Sequence, residues 1–373
     1  MTRPVTLTDL TRRHCLALIG AATVAGCGPR GSIAMLPPEA VAGANVQRVI
    51  VATSRAPAPA PVFFSGRNAF RTGFARFDAA VPPDRPAGSI RFPRGTPDPR
   101  RDFLVTHAER LSGSRAFVQQ VNAAAASAPH SRIGAMFVHG FNTNFAESLM
   151  RHVQLRHDLA APGVGVLFSW PTAANLLAYA VDREHALFSR DSLVETMQLM
   201  RRTRLSGYNL IAHSMGAFLA MESLRTLALL GDRASLGRIG AVVLIAADLE
   251  VDLFRRQAEP VLAAGVPIYL LVSSQDRALR WSATLRGESR RVGNVYTREE
   301  LGGLDVGIID LSAVNPGEIT GHLKVGSSPE LIALVRRMRQ RQATLFGGDA
   351  GLLDAGATVL QGAAGLVLAP LSP

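Results

Sequence analysis

The sequence predicts an α/β fold in which a mostly parallel, doubly wound sheet is flanked by helices. From residue 133 onward, short apolar runs alternate with amphipathic stretches, and the runs are apolar at nearly every position. Strands that bury both faces belong to parallel sheets, because crossover helices cover each side. The predicted strands span residues 133–138, 164–168, 208–212, 241–246, 268–272 and 306–311.

Other segments complete a single predicted domain over residues 46–343. Residues 191–204 and 329–341 carry apolar side chains at helical spacing, which predicts two helices packed on the sheet. Residues 46–52 predict a strand, and the stretch rich in Pro, Gly and Arg that follows predicts a loop and another strand.

The composition favours a globular protein and argues against nucleic-acid binding. Hydrophobic residues make up 47% of the 373 residues and charged residues 18%, enough apolar surface for a core. The net charge is +11, yet nearly all the basic residues are arginines scattered along the chain. A nucleic-acid surface would cluster them on one element beside a recognisable groove-reading motif.

The first residues predict an export signal. Basic residues precede an apolar run over residues 15–26, which is too short to cross a membrane and typical of a cleaved signal. Residues 11–16 resemble a twin-arginine motif. Residues 24–27, Val-Ala-Gly-Cys, resemble a bacterial lipobox, so we expect a signal over residues 1–26 and a lipidated Cys27.

Lipidation of Cys27 would attach the protein to a membrane on the periplasmic side of the bacterial envelope, with the outer membrane favoured. Residues 27–45 then form a tether. The last residues, 344–373, are rich in Gly and Ala, and a docking tail or a frayed terminus explains them better than a membrane span.

The clearest chemical motif is a serine between a buried strand and a run of small residues. In Ala212-His213-Ser214-Met215-Gly216, this arrangement indicates a nucleophile elbow, the sharp strand-to-helix turn that exposes a serine hydroxyl. Ala212 stands where the usual pattern has glycine. The alternative is that Ser214 only caps the helix.

A serine nucleophile needs a histidine base and an acid that orients it, in the chain order Ser, acid, His. His322 is the only histidine after Ser214. Asp276 and Asp248 both follow predicted strands, at the edge where α/β sites are built. We expect Asp276 to be the acid because it follows the later strand; Asp248 is the alternative.

The oxyanion of the tetrahedral intermediate needs backbone donors. The residue after the nucleophile, Met215, supplies one N–H, and we expect Phe141, in the loop after the strand 133–138, to supply the other. His139 in the same loop is expected to be a buried structural histidine. No zinc-hydrolase motif, phosphate-binding glycine loop or dinucleotide fingerprint is present, so we expect no metal or cofactor.

Five blocks of sequence carry a resemblance to known proteins: residues 49–55, 137–142, 168–171, 212–216 and 273–279. Together they resemble a bacterial α/β-hydrolase family of the esterase/lipase superfamily that is catalogued mainly as a domain of unknown function. The resemblance covers residues 46–341 and implies the α/β-hydrolase fold and a triad of Ser214, Asp276 and His322.

The leading hypothesis is therefore an envelope-anchored serine hydrolase that cleaves a carboxylic ester or related acyl bond of a small-molecule or lipid substrate. Acyl transfer on the same triad is one alternative. A catalytically inactive scaffold lipoprotein is the other, because a fold does not imply a function. Apolar side chains in residues 172–190, which we expect to overhang the pocket, suggest an apolar acyl site or ordinary core packing.

Overall fold

A computed structural model describes residues 30–127, 132–175, 178–273, 290–312 and 332–333. The chain divides into two units, Met1–Gly31 and Ser32–Pro373, and nearly all described residues belong to the second. Its strands are β1 Asn45–Pro57, β2 Phe64–Val81, β3 Leu104–Leu111, β4 Ile133–Val138, β5 Val164–Ser169, β6 Gly207–His213, β7 Ile239–Ile245, β8 Ile268–Val272 and β9 Gly307–Asp310. Its α-helices are α1 Ser114–Ala126, α2 Phe145–Asp158, α3 Tyr179–Arg201, α4 Met215–Leu229, α5 Arg233–Leu236 and α6 Val251–Ala263, with short 3-10 turns at Pro38–Val41, Val292–Asn294 and Glu299–Leu301.

These strands form one sheet in the order β3-β2-β1-β5-β4-β6-β7-β8-β9. β2 is antiparallel to β1 and β3, and every neighbouring pair from β1 to β9 is parallel. β6 lies at the centre of the parallel part, where Ala212 pairs with Val138 of β4 and with Leu244 of β7. The parallel register brings the carboxyl ends of these strands to one edge of the sheet.

Helices cover both faces of the sheet, because successive side chains of a strand point to opposite sides. In β1, Ile50 and Ala52 join the core beneath α1, α3, α4 and α6, whereas Val49 and Val51 join the core beneath α2. All four side chains are fully buried. This two-sided burial explains why the strands are continuous apolar runs, and it confirms the predicted fold class.

The first hairpin extends beyond the carboxyl edge of the sheet. β1 pairs with β5 only as far as Thr53, but its pairing with β2 continues to Pro57. We call residues 54–57 and 64–72 the hairpin arm. A side chain at Gly66 of this arm would lie 2.9 Å from the backbone oxygen of Thr172, so the arm packs closely against the segment after β5.

The six predicted strands are confirmed to within a few residues, but the helix predicted over residues 191–204 begins much earlier, at Tyr179. Residues 179–190, expected to belong to the segment between the strand and the helix, therefore lie within the helix itself. Asp182 and Ser189 lie fully buried on the packed face of α3. These polar side chains interrupt the apolar stripe and hide the first part of the helix from a periodicity argument.

No helix among the described residues is both long and apolar enough to span a membrane. The expected signal over residues 1–26, Cys27 and the tail over residues 344–373 lie outside the described residues. So does the predicted helix 329–341, except for residues 332–333.

Candidate active site

The residues that directly follow four neighbouring strands lie at one edge of the sheet. β4, β6, β7 and β8 are parallel and share a carboxyl edge. In open α/β sheets this edge is where ligands bind. The segments that begin at His139, Ser214 and Ala246 therefore lie at the edge of the candidate site, and Ser273 directly follows β8 at the same edge.

Ser214 connects β6 directly to α4 through a sharp turn. Its φ of 53° and ψ of −124° are unfavourable for a residue with a side chain. A capping serine would have an extended backbone and would accept a hydrogen bond through its hydroxyl. Ser214 does neither; its backbone N–H donates to the Ile245 carbonyl at 2.9 Å. Helix capping therefore does not explain this serine, and the strained turn is typical of a nucleophile elbow.

The loop after β4 passes so close to Ser214 that two glycines are required. We call residues 139–144 the β4–α2 loop. A Cβ atom on Gly140 would lie 2.7 Å from His213 Nδ1 and 3.0 Å from Ser214 Cβ. A Cβ atom on Gly216 would lie 2.3 Å from the His139 carbonyl oxygen. Only glycine at both positions allows the elbow and the loop to touch.

Two backbone N–H groups near Ser214 have no acceptor among the residues that the structure describes. One belongs to Met215, the first residue of α4, and the other to Phe141 of the β4–α2 loop. The first amides of a helix have no partner within it, and the helix dipole favours negative charge there. Asn142 turns the loop with a φ of 55° directly after Phe141. This arrangement matches the requirement of a developing oxyanion for fixed donors.

His139 is a buried structural residue. Its ring stacks on Trp170 with centroids 5.3 Å apart. Nδ1 lies 2.9 Å from the Gly140 carbonyl oxygen, and Nε2 lies 3.1 Å from the Trp170 backbone nitrogen. Burial, with the nearby Arg55 charge, lowers the pKa of His139 to about 3. The imidazole is therefore neutral near pH 7, with Nδ1–H donating and Nε2 accepting.

Asp248, the alternative acid, is buried and already holds two side chains. Its Oδ2 accepts a hydrogen bond from the Tyr179 hydroxyl at 2.6 Å, and its Oδ1 lies 3.5 Å from Nε of the buried Arg291. Its backbone N–H donates to the Ser214 carbonyl at 3.2 Å. The Tyr179 ring packs edge-on against Phe141, with centroids 5.2 Å apart. Asp248 thus links the elbow, α3 and the β4–α2 loop.

Of the predicted site residues, the structure brings Ser214, Met215, Phe141 and Asp248 to one edge. Asp276 and His322 lie outside the described residues, so their predicted roles stay predictions. Among the described residues, no group of three or more His, Cys, Asp or Glu side chains could hold a metal ion.

Three buried charged residues at this edge were not predicted: Arg55, Asp182 and Arg291. Isolated charged residues in a sequence look like surface positions, because they are almost never buried unless paired. A signal for Arg55 exists, since it ends the polar triplet Thr53-Ser54-Arg55 directly after an apolar strand. Polar residues at the carboxyl end of a parallel strand are candidates for a site.

A match to a family of known sequences agrees with this architecture. Residues 114–340 match the sequence model of a family described as alpha/beta hydrolase of unknown function (DUF900). No curated protein matches the chain. Among the similar solved structures is an esterase from Rhizomucor miehei, with 12% identity and a TM-score of 0.35 over 92% of this chain and 93% of that chain. A peroxisomal alpha-beta-hydrolase from Saccharomyces cerevisiae has 10% identity and a TM-score of 0.35 over 88% of this chain and 98% of that chain. A thermostable esterase from Pseudomonas putida has 11% identity and a TM-score of 0.36 over 94% of this chain and 92% of that chain.

Proposed function

The chain belongs to the alpha/beta hydrolase family of unknown function described above, and from this premise we propose that it is a serine hydrolase that cleaves carboxylic ester or related acyl bonds. The observation that carries the proposal is the strained backbone of Ser214, whose hydroxyl does not cap α4. Strain of this kind persists where the surrounding structure holds a functional side chain in place.

In the proposed mechanism, the Ser214 hydroxyl attacks the acyl carbon while its proton passes to the imidazole of His322. The oxyanion that forms is held by the N–H groups of Phe141 and Met215. His322 then gives the proton to the departing alcohol, which leaves an acyl-enzyme on Ser214. Water, activated by His322, hydrolyses the acyl-enzyme by the same steps, and Asp276 orients the imidazole throughout. The scheme needs no cofactor.

The proposal is tested by covalent labelling with a fluorophosphonate probe, together with hydrolysis of short-chain acyl esters. We expect the wild-type protein to be labelled and Ser214→Ala to be neither labelled nor active. Ser223→Ala is the matched control, because Ser223 is a fully buried serine of α4 whose hydroxyl lies within hydrogen-bond distance of the backbone carbonyls of Leu219 and Arg190. This variant should react like the wild type.

A folded wild-type protein that neither reacts with the probe nor hydrolyses the esters would refute the proposal and favour the inactive scaffold. Adding an alcohol as acceptor during turnover separates hydrolysis from acyl transfer. Acyl transfer would give a new ester as the main product, whereas a hydrolase releases the free acid.

The choice of acid is tested by Asp276→Asn and Asp248→Asn. Because Asp248 already accepts from Tyr179 and pairs with Arg291, we expect its substitution to act mainly on stability. Asp276→Asn should lower kcat by several orders of magnitude, since an asparagine no longer holds the imidazole in the required tautomer. The opposite ranking of the two kcat values would assign the acid to Asp248.

We also propose that the protein is anchored in the cell envelope through a lipid on Cys27, with the outer membrane as its site. Expression in a bacterium fed an alkyne-tagged fatty acid tests the anchor. The wild-type protein should carry the tag and fractionate with membranes, and Cys27→Ser should do neither. A tagged Cys27→Ser protein would contradict the proposal.

A further inference from the structure

The β4–α2 loop is held from outside by a buried arginine of the hairpin arm. The Arg55 side chain is almost completely inaccessible to solvent. Its Nη2 donates to the Thr143 carbonyl at 2.8 Å, and its Nε donates to Ser169 Oγ at 2.9 Å. A third hydrogen bond runs from Nη1 to the Ser65 carbonyl at 3.3 Å. One guanidinium therefore joins β1, β2, β5 and the loop.

Thr143 is held a second time by the segment after β5. The Thr172 hydroxyl donates to the Thr143 carbonyl at 2.6 Å and accepts from the Thr143 backbone N–H at 3.1 Å. The carbonyl thus receives two hydrogen bonds, from Arg55 and from Thr172. The Thr143 hydroxyl in turn donates to the Phe141 carbonyl at 3.1 Å. This chain of contacts ends at the residue whose N–H is the proposed oxyanion donor.

A buried carboxylate holds the segment after β5 beside Thr172. Asp182 of α3 is fully buried and accepts from the Ala173 backbone N–H at 2.7 Å. Burial raises the pKa of Asp182. Hydrogen bonding to the Ala173 and Asn142 backbone and the charges of His185 and Arg55 lower it, but by less than burial raises it. Burial likewise lowers the pKa of Arg55 to about 9, opposed by the Asp182 and Glu147 charges, so Arg55 is cationic near neutral pH.

Burying two charges is costly, and a core rarely contains them unless they are paired or hydrogen-bonded. We propose that Arg55 and Asp182 are positioning residues that fix the β4–α2 loop, so that the Phe141 N–H points at the oxyanion. Arg55 holds the carbonyl of Thr143, and Asp182 holds the backbone N–H of Ala173, next to Thr172, whose hydroxyl also bonds to Thr143. The proposal rests on the proposed function, because it assigns these residues a role in the same reaction.

The test compares steady-state kinetics of Arg55→Met, Arg55→Lys, Asp182→Asn and Thr172→Val with the wild type. A misplaced oxyanion donor weakens binding of the transition state more than binding of the substrate. We expect Arg55→Met to lower kcat about a hundredfold and to change KM by less than about threefold. Arg55→Lys should restore part of kcat, because lysine keeps the charge and can reach one acceptor.

Thr172→Val replaces the hydroxyl by a methyl group of similar size, so it tests the loop even if an Arg55 variant fails to fold. It should lower kcat about tenfold, and a trifluoromethyl ketone should bind it more weakly by a similar factor. Arg85→Lys and Thr196→Val are matched controls. Arg85 is a buried arginine paired with Asp158, and the Thr196 hydroxyl bonds within α3 to the Ser192 carbonyl. Both should keep the wild-type kcat.

Two outcomes would overturn the proposal. If folded Arg55→Met and Thr172→Val keep kcat within about threefold of the wild type, the loop does not need these contacts. If the variants and the controls lose kcat equally, the effect is general destabilisation. Both results can be distinguished from failure of the proposed function. In that case the wild-type protein itself is neither labelled nor active, and the positioning role is refuted as well.

Discussion

At the scale of single residues, the site depends on backbone geometry that ordinary residues avoid. Ser214 and Asn142 both have a positive φ, and they lie on the two segments that Gly140 and Gly216 bring into contact. Left-handed backbone costs a residue with a Cβ atom roughly 1–2 kcal/mol. The elbow should therefore be a place where the native serine reduces the stability of the protein.

This strain predicts the relative stability of two nucleophile variants. Ser214→Gly should have a free energy of unfolding about 1 kcal/mol higher than Ser214→Ala, because glycine adopts a positive φ without steric cost. Urea denaturation measures both values. In Ala217→Gly, a buried position within α4, the same type of change should cost about 1 kcal/mol. If glycine were no better than alanine at position 214, the turn would not be strained.

At the scale of elements, the β4–α2 loop leads directly into the capping box of α2. Asn144 accepts from the Glu147 backbone N–H at 2.9 Å, and the Glu147 carboxylate accepts from the Asn144 backbone N–H at 2.9 Å. The start of the helix is thereby fixed immediately after Thr143. Arg55 and Thr172 both donate hydrogen bonds to the Thr143 carbonyl. The carboxyl-terminal end of the loop is thus constrained twice, by α2 and by the hairpin arm.

Loss of the cap should therefore lower the stability of the whole domain. We expect Asn144→Ala to lower the free energy of unfolding by about 1 kcal/mol, because a side-chain acceptor for the first turn of α2 is lost. Asn144→Ser keeps an acceptor and should recover most of this loss. Thermal unfolding of the three proteins gives the comparison, and equal midpoints for alanine and asparagine would show that the cap contributes nothing.

The sequence allowed the parallel strands to be predicted because their positions are buried on both faces and the signal is local. The edge strand β3, with alternating exposed side chains, and the first turns of α3, with buried Asp182 and Ser189, have no such signal. Ser214 could be predicted because small residues after a strand form a local pattern. The polar triplet that Arg55 ends marks it only as a residue near the edge; its burial and its partners Ser65, Thr143 and Ser169 could not be predicted, because these residues meet only when distant segments fold together.

At the scale of the whole molecule, buried imidazoles make stability depend on pH. Burial lowers the pKa of His139 to about 3, and burial together with the Arg156 charge keeps the pKa of His152 well below 6.5. Both rings become protonated in the unfolded chain as the pH falls below 6.5, but they stay neutral in the folded protein. The unfolded state then binds more protons, so stability decreases as the pH falls from 6.5.

His152→Leu should remove part of this acid sensitivity. His152 is buried in α2, stacks on Phe137 with centroids 5.8 Å apart, and has no hydrogen-bond partner for Nε2 among the described residues. We expect the free energy of unfolding of the variant, minus that of the wild type, to rise by about 2 kcal/mol when the pH is lowered from about 7.5 to about 5. Denaturant titrations at both pH values measure this. A difference independent of pH would show that His152 has the same pKa in the folded and unfolded protein, which would contradict this account.

The pairing of β1 with β5 determines where the protein can be truncated. The family match starts at residue 114, after β1, β2 and β3. A protein trimmed to that boundary would leave β5, whose residues are all buried, with one unpaired flank. An exposed apolar edge strand presents unpaired N–H and C=O groups with which other chains can pair. Such a fragment would aggregate, so the physical domain must begin upstream of the residues by which its relatives are recognised.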